Sequence, residues 1–115
     1  MGTKELEDAI RNIRKEQEQR QDDYNEAIKL NNSVLDMIDD SRHHMSFVSE
    51  EFIDDPELLE IYYDRRNMAN KMIMEIEDSM SEMKRKYAKD MEGFDRKINE
   101  LGKQIKDSSD DLKME

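Results

Sequence analysis

The chain has 115 residues, 43% of them charged and 35% hydrophobic, with a formal net charge of −11. This length fits one small unit, and without Cys there is no disulfide, thiol nucleophile or thiolate metal site. Three Gly and one Pro leave little material for a turn-rich β fold, and 30 acids against 19 bases argue against nucleic acid or anionic membrane as partner.

The chain opens Met-Gly-Thr-Lys-Glu-Leu-Glu-Asp, which lacks the apolar core of a signal peptide. The longest stretch without Asp, Glu, Lys or Arg runs from His43 to Ser49, seven residues. A membrane-spanning helix needs about 20 apolar residues. The expectation is a cytoplasmic chain that does not insert into a membrane.

Apolar period then decides between helix and strand. Leu6, Ile10, Ile13, Gln17, Arg20, Tyr24, Ala27, Asn31, Val34, Ile38, Ser41, Met45, Val48 and Phe52 form one 3-4 ladder. Its mean step is about 3.5 residues, the spacing of a coiled-coil seam. Four rungs are polar: Gln17, Arg20, Asn31 and Ser41. Polar seam residues weaken a helix pair and fix its register. Thr3 is placed to cap this helix, with Glu5 and Glu7 in a first turn that favours negative charge. The spacing predicts a helix over about 4–47.

The next segment, 48–55, reads as a bend or as a continuation of that helix. It ends in Asp54-Asp55-Pro56-Glu57, a start signal for a second helix. Asp55 can accept from an orphan N–H, and Pro56 suits the first helical position, where its missing N–H is not needed. Pro56 also disfavours the α conformation at Asp55, so the first helix must end before it.

A second ladder follows: Leu58, Tyr62, Arg65, Ala69, Met72, Ile76, Met80, Met83, Tyr87, Met91, Phe94, Ile98, Leu101, Ile105, Ser108 and Leu112. Its mean step is about 3.6, the period of a nearly straight helix. It predicts a helix over 56–110 and a frayed tail at 111–115. The predicted fold is all-α, one antiparallel two-helix hairpin over 1–115 with coiled-coil-like helices. Pairs at i,i+4 support both helices: Glu7–Arg11, Glu16–Arg20, Glu82–Lys86 and Glu92–Arg96. Gly93 and Gly102 read either as tolerated surface glycines or as sites of close helix approach. No repeat longer than the heptad is present.

Charge is uneven. Asp36 to Asp64 holds ten acids and one base, whereas Lys84 to Lys106 holds eight bases and four acids. The acidic run reads as solvated surface or as a tip that docks on a basic surface.

Few constellations invite chemistry. His43 and His44 point about 100° apart on a helix, so they cannot share one metal. Asp39 and Asp40, four residues earlier, can each pair with one of them. No carboxylate pair is framed by apolar residues, and there is no calcium loop, phosphate-cradling Gly loop or serine with a base and orienting acid. No enzymatic activity, metal or other cofactor is expected.

The second helix carries more apolar residues than one seam needs. Met68, Met72, Met74, Met80, Met83 and Met91 form a cluster that reads as core or as an adaptable binding face. Leu59, Ile61, Tyr63, Met68, Ile73 and Met74 stand beyond the ladder. Two helices alone leave such a strip wet, which suggests a third helix from a partner. The candidate partner-binding residues are Leu59, Tyr63, Met68, Met72, Ile73 and Met74, with Phe94, Ile98 and Leu101 in the stem.

The segment Leu59-Glu-Ile-Tyr-Tyr-Asp-Arg-Arg-Asn67 opens the second helix after a short break, and a Met- and Lys-rich helix follows. Together with the acidic hairpin architecture, this resembles the small helical partner proteins of bacterial type VIIb secretion: the LXG-associated, Lap-like targeting factors and the Esx-like proteins. The resemblance covers the architecture of the whole chain but only those nine residues of text. Two features depart from it. There is no Trp for a Trp-x-Gly bend, and the Tyr-x-x-x-Asp/Glu export signal is not met, since Met91 stands four residues after Tyr87. Phe47 and Glu51 make a Phe-x-x-x-Glu, but at the bend.

The resemblance implies a non-enzymatic adaptor or chaperone in the cytoplasm. Such a protein binds the helical N-terminal domain of an LXG-type toxin, with or without a second small helical protein, and is open to co-export with it. Two other readings stand beside it. One is a self-assembling structural coiled coil, such as a phage or scaffold component, which would be a homodimer or larger. The other is an acidic disordered chain that folds on binding.

Overall fold

A computed structural model describes the backbone of residues 2–114 and the side chains of residues 2–109. Helix α1 spans Thr3–Glu51 and helix α2 spans Pro56–Met114, with no strand among the described residues. The fold is the expected all-α helical hairpin.

The helix ends differ from the expected bounds in instructive ways. Helix α1 continues to Glu51, beyond the expected 47, because nothing before the Asp-Pro step forbids the α conformation. It ends without a left-handed cap, since no described residue has positive φ. A turn follows in which the Asp55 N–H donates to the Phe52 carbonyl at 3.0 Å. At the other end of α1 the Leu6 N–H donates to the Gly2 carbonyl at 3.1 Å. Gly2 therefore takes the cap position expected for Thr3, which is already helical. Helix α2 continues through Met114 where a frayed tail was expected, as no Gly or Pro follows Gly102 to stop it. The end of the last ladder, Leu112, lies outside the described side chains.

Asp55 is the cap that the sequence indicates. Its Oδ1 accepts from the N–H of Glu57 at 3.1 Å and of Leu58 at 3.2 Å. Its carbonyl accepts from the Leu59 N–H at 3.0 Å, the first full turn of α2. Asp55 with Pro56 thus satisfies or removes the orphan donors of this helix start. Asp55→Ala is expected to lower stability by about 1 kcal/mol, and Asp55→Asn by much less, in urea unfolding followed by far-UV circular dichroism.

The chain divides into two compact units. One is Met1–Asn25 with Lys84–Glu115, the other Glu26–Met83. Both are antiparallel helix pairs. In the first unit Tyr24 stacks on Tyr87, with ring centroids 4.2 Å apart and planes 8° from parallel. One turn along α1, Arg20 reaches Asp90 through Nε and Nη2, both at 2.9 Å. One turn further, Gln17 donates to Asp95 at 3.1 Å. Leu6 is 1% exposed and is the one fully buried large side chain among the described residues. Arg20 therefore spans the seam rather than closing the expected pair with Glu16. Arg11 bonds Asp8 at 3.0 Å in place of Glu7. Arg96 and Glu92 do approach, at 3.9 Å.

In the second unit Asn31 donates to the Ala27 carbonyl at 3.0 Å and to Met83 Sδ at 3.7 Å. Arg42 spans the seam to Asn70 at 2.8 Å. Ala69 is buried, the closest packed rung of this unit. Polar rungs therefore recur in both seams, and Gln17, Arg20, Asn31 and Arg42 each have a partner across, which is how a weakly apolar helix pair holds one register.

The seam of α1 departs from the predicted ladder halfway along. From Leu6 to Asn31 the inward positions are those expected. Beyond Asn31 they become Leu35, Ile38, Arg42, Met45 and Ser49, one residue later than Val34, Ser41 and Val48. An ideal helix drifts about 20° per heptad against a strict 3.5 repeat. Four heptads accumulate about 80°, close to the angle between neighbouring residues. On α2, Leu59 and Ile73 turn inward where the ladder names Leu58 and Met72. Gly93 and Gly102 have nothing within 4 Å of an added Cβ, so close helix approach is not their reason.

Candidate functional site

Among the described residues, the large apolar side chains that face water are confined to one unit. Thirteen of those described are exposed, and all lie between Leu30 and Met74, inside Glu26–Met83. In the other unit every described large apolar side chain is at least half-buried. The candidate site is therefore sought on the second unit.

Helix geometry sorts its surface into two flanks. Neighbouring residues differ by about 100° around a helix axis. Because α1 and α2 run antiparallel there, residues one position before the seam on each helix come to the same side of the pair. On α1 these are Leu30, Val34, Met37, Ser41, His44 and Val48. On α2 they are Leu58, Ile61, Arg65, Met68 and Met72. Residues one position after the seam form the opposite flank, with Asp39, His43 and Ser46 facing Tyr63, Asn70 and Met74.

The first flank is apolar. Near the bend it closes into a groove of about 500 Å³ lined by His44, Met45, Val48, Ser49 and Phe52 of α1 and Leu58, Leu59, Ile61, Tyr62 and Arg65 of α2. Seam residues Met45, Leu59 and Tyr62 form its floor, and Val48, Phe52, Leu58 and Ile61 form its walls. Further from the bend the apolar surface continues over Met37, 70% exposed, and Met68, 65% exposed.

The opposite flank is a polar notch of about 390 Å³ lined by Asp39, Arg42, His43, Met45, Ser46, Tyr62, Arg66 and Asn70. Arg42 Nη2 donates to Asp39 at 2.6 Å while its Nη1 holds Asn70. His43 places Nδ1 2.9 Å from the Asp39 carbonyl and 3.8 Å from its carboxylate. The Asp39 carboxyl lies below its ordinary pKa, chiefly through the Arg42 hydrogen bond and then through the charges of His43 and Arg42, against some desolvation. A lowered carboxyl favours the folded state above its unfolded pKa, and that contribution disappears as pH falls through the lowered value. The Tyr62 hydroxyl is lowered too, first by the Ser46 hydroxyl 3.4 Å away, then by Ser49 and Arg66. Among the described residues no three His, Asp or Glu side chains converge to hold a metal ion. His43 and His44 point to opposite flanks, His43 into the notch and His44 into the groove.

The sequence-predicted site residues fall into four places. Met68 and Met72 lie on the apolar flank, 65% and 44% exposed. Tyr63 and Met74 lie on the opposite flank and are also exposed. Leu59 and Ile73 are half-buried on the seam of the second unit. Phe94, Ile98 and Leu101 are half-buried on the seam of the first unit. The methionine cluster divides likewise: Met80, Met83 and Met91 are half-buried, while Met68, Met72 and Met74 face water.

The sequence reading left out Leu30 and Met37 of the exposed α1 stripe and placed Val34 and Val48 in the seam. Leu30, Val34 and Met37 carry a 3-4 spacing of their own, one residue ahead of the seam, which continues through Ser41 and His44 to Val48. The single ladder traced through this region merged that stripe with the seam. No helix among the described residues is long and apolar enough to cross a membrane. No family model, curated protein or solved structure matches the chain.

Proposed function

We propose that the chain is a non-enzymatic helical adaptor that binds helices of another protein through the exposed apolar surface of its second unit. The observation that carries this reading is that, among the described residues, the thirteen exposed large apolar side chains all lie within residues 30–74. Contiguous apolar surface on a small protein marks an interaction site, whereas scattered single residues need no explanation. The methionines suit the role, since Met repacks against partners of varied shape.

The finer form of the proposal is a cytoplasmic targeting factor or chaperone for type VIIb secretion that engages the helical N-terminal domain of an LXG-type toxin. Its supports are the hairpin architecture and the Leu59–Asn67 text. The competing reading is a self-assembling coiled coil, favoured by the near-3.5 spacing of the first half of α1.

The test is an affinity pull-down of the tagged chain from its host, read by mass spectrometry, beside sedimentation equilibrium of the chain alone. Recovery of a large toxin with a helical N-terminal domain supports the secretion reading. Recovery of the chain alone, with a defined homo-oligomer at micromolar concentration, overturns the adaptor in favour of self-assembly.

A further inference from the structure

We infer that the apolar flank of the second unit docks one amphipathic helix whose apolar stripe is bordered on both sides by Lys and Arg. The inference rests on the adaptor reading above and adds to it the face used and the chemistry of the partner.

Shape comes first. The stripe on α1 runs from Val34 to Val48, with Ser41 and His44 between its apolar residues, about 21 Å at 1.5 Å per residue, and Phe52 extends it into the turn. That accommodates about four turns of a partner helix. Such a helix lies in the groove between α1 and α2 and completes a three-helix arrangement, burying Val48, Phe52, Ile61, Met68 and Met72.

Charge selects the occupant. Beyond the apolar stripe of α1 stand Glu26, Asp40 and Glu51, spaced by 14 and 11 residues. Beyond that of α2 stand Glu57, Asp64 and Glu75, spaced by 7 and 11. Spacings of 7, 11 and 14 return to nearly the same face of a helix, so each set forms a carboxylate rim. Each rim of the docking face is thus net acidic, three carboxylates to one lysine. By the same spacings Lys29, 11 residues before Asp40, and Lys71, 7 after Asp64, share these rims, and within the face the cations are Arg65 and, when protonated, His44.

A second copy of this chain fits poorly. Residues 26–83 contain 15 acids and 5 bases, so face-to-face pairing of two such units sets acidic rim against acidic rim. The other unit is nearly neutral but has no exposed large apolar side chain to offer among its described residues. A foreign helix with basic borders satisfies both the apolar stripe and the rims.

The test uses the full chain and three synthetic peptides of three heptads, read by fluorescence anisotropy. One has Leu at a and d and Lys at e and g. Its twin has Glu at e and g. The third scrambles the Lys peptide so that the charge remains and the stripe is lost. The Lys-bordered helix is expected to bind about tenfold or more tightly than either control. Equal binding of the scrambled peptide overturns the proposal, because net charge alone then accounts for it. Tighter binding of the Glu twin also overturns it.

Two variants locate the face. Met68→Asp is expected to weaken the Lys-bordered helix about tenfold, and Tyr63→Asp on the opposite flank to leave it within about twofold. The reverse pattern overturns the site. Joint replacement of Glu57, Asp64 and Glu75 by Lys touches only exposed positions, keeps the apolar stripe, and is expected to move the preference towards the Glu twin. An unmoved preference overturns the role of the rims. A homodimer that crosslinks through position 68 overturns the foreign occupant. Loss of a captured host partner on Tyr63→Asp but not on Met68→Asp overturns this face while leaving the adaptor reading intact.

Discussion

Tyr87→Ala is expected to destabilise the first unit by about 2–3 kcal/mol, a large effect for a half-buried side chain. The ring stacks on Tyr24 at 4.2 Å, nearly parallel, in a seam whose neighbouring rungs are the polar pairs Arg20–Asp90 and Gln17–Asp95. Arg20–Asp90 is partly buried and Gln17–Asp95 exposed, and both contribute register more than energy, about 0–1 kcal/mol for an exposed ion pair. The stacked rings are therefore the main apolar anchor of this stretch. In a cycle with Tyr24→Ala, the two substitutions are expected to couple by about 0.5–1.5 kcal/mol. Urea unfolding by circular dichroism measures both quantities. Additive effects would show that the two rings do not stack in solution.

Ala69→Asp is expected to destabilise the second unit by about 2–4 kcal/mol at neutral pH. Ala69 is 8% exposed, the one buried residue of that unit, and Arg42, the cation across the seam, is already held by Asn70 and Asp39. A carboxylate there loses water and can reach Arg42 only by taking it from those partners. Its folded-state pKa is then raised, so the loss shrinks as pH falls and the carboxyl protonates. Hydrogen exchange read by mass spectrometry is expected to quicken across 26–83 first. An effect near 0.5 kcal/mol, the size of a surface substitution, would mean that position 69 is solvated. Methionine makes a useful contrast: Met68, next along the chain and 65% exposed, is expected to tolerate polar substitution with little change in stability. Its replacement then reads binding rather than folding.

The two positions show how finely the surface is divided. Ala69 holds the helix pair together, and Met68, one residue earlier, faces the proposed partner. Adjacent residues on a helix differ by about 100°, so one step in sequence separates core from docking face.

The sequence alone determined the helices, their order, the break between them and the cap that starts the second. Those are local matters. A 3.5–3.6 apolar period, an Asp-Pro step and the scarcity of Gly leave one conformation per segment. Charge segregation was also legible, because the acidic run and the basic stem are contiguous in the chain. Only the tertiary structure decided which member of each adjacent apolar pair turns inward: Leu35 over Val34, Leu59 over Leu58, Ile73 over Met72. Either member suits a helix equally well, so local propensity has no preference between them. The choice falls to the opposing helix and to the slow drift of a 3.6-residue turn against a seven-residue repeat. Polar rungs went the same way, as Arg20 left Glu16 for Asp90 and Arg42 replaced Ser41 in the seam to reach Asn70. That one-residue choice, repeated along two antiparallel helices, puts Val34, Leu58 and Met72 on one flank, while Tyr63 and Met74 fall on the other.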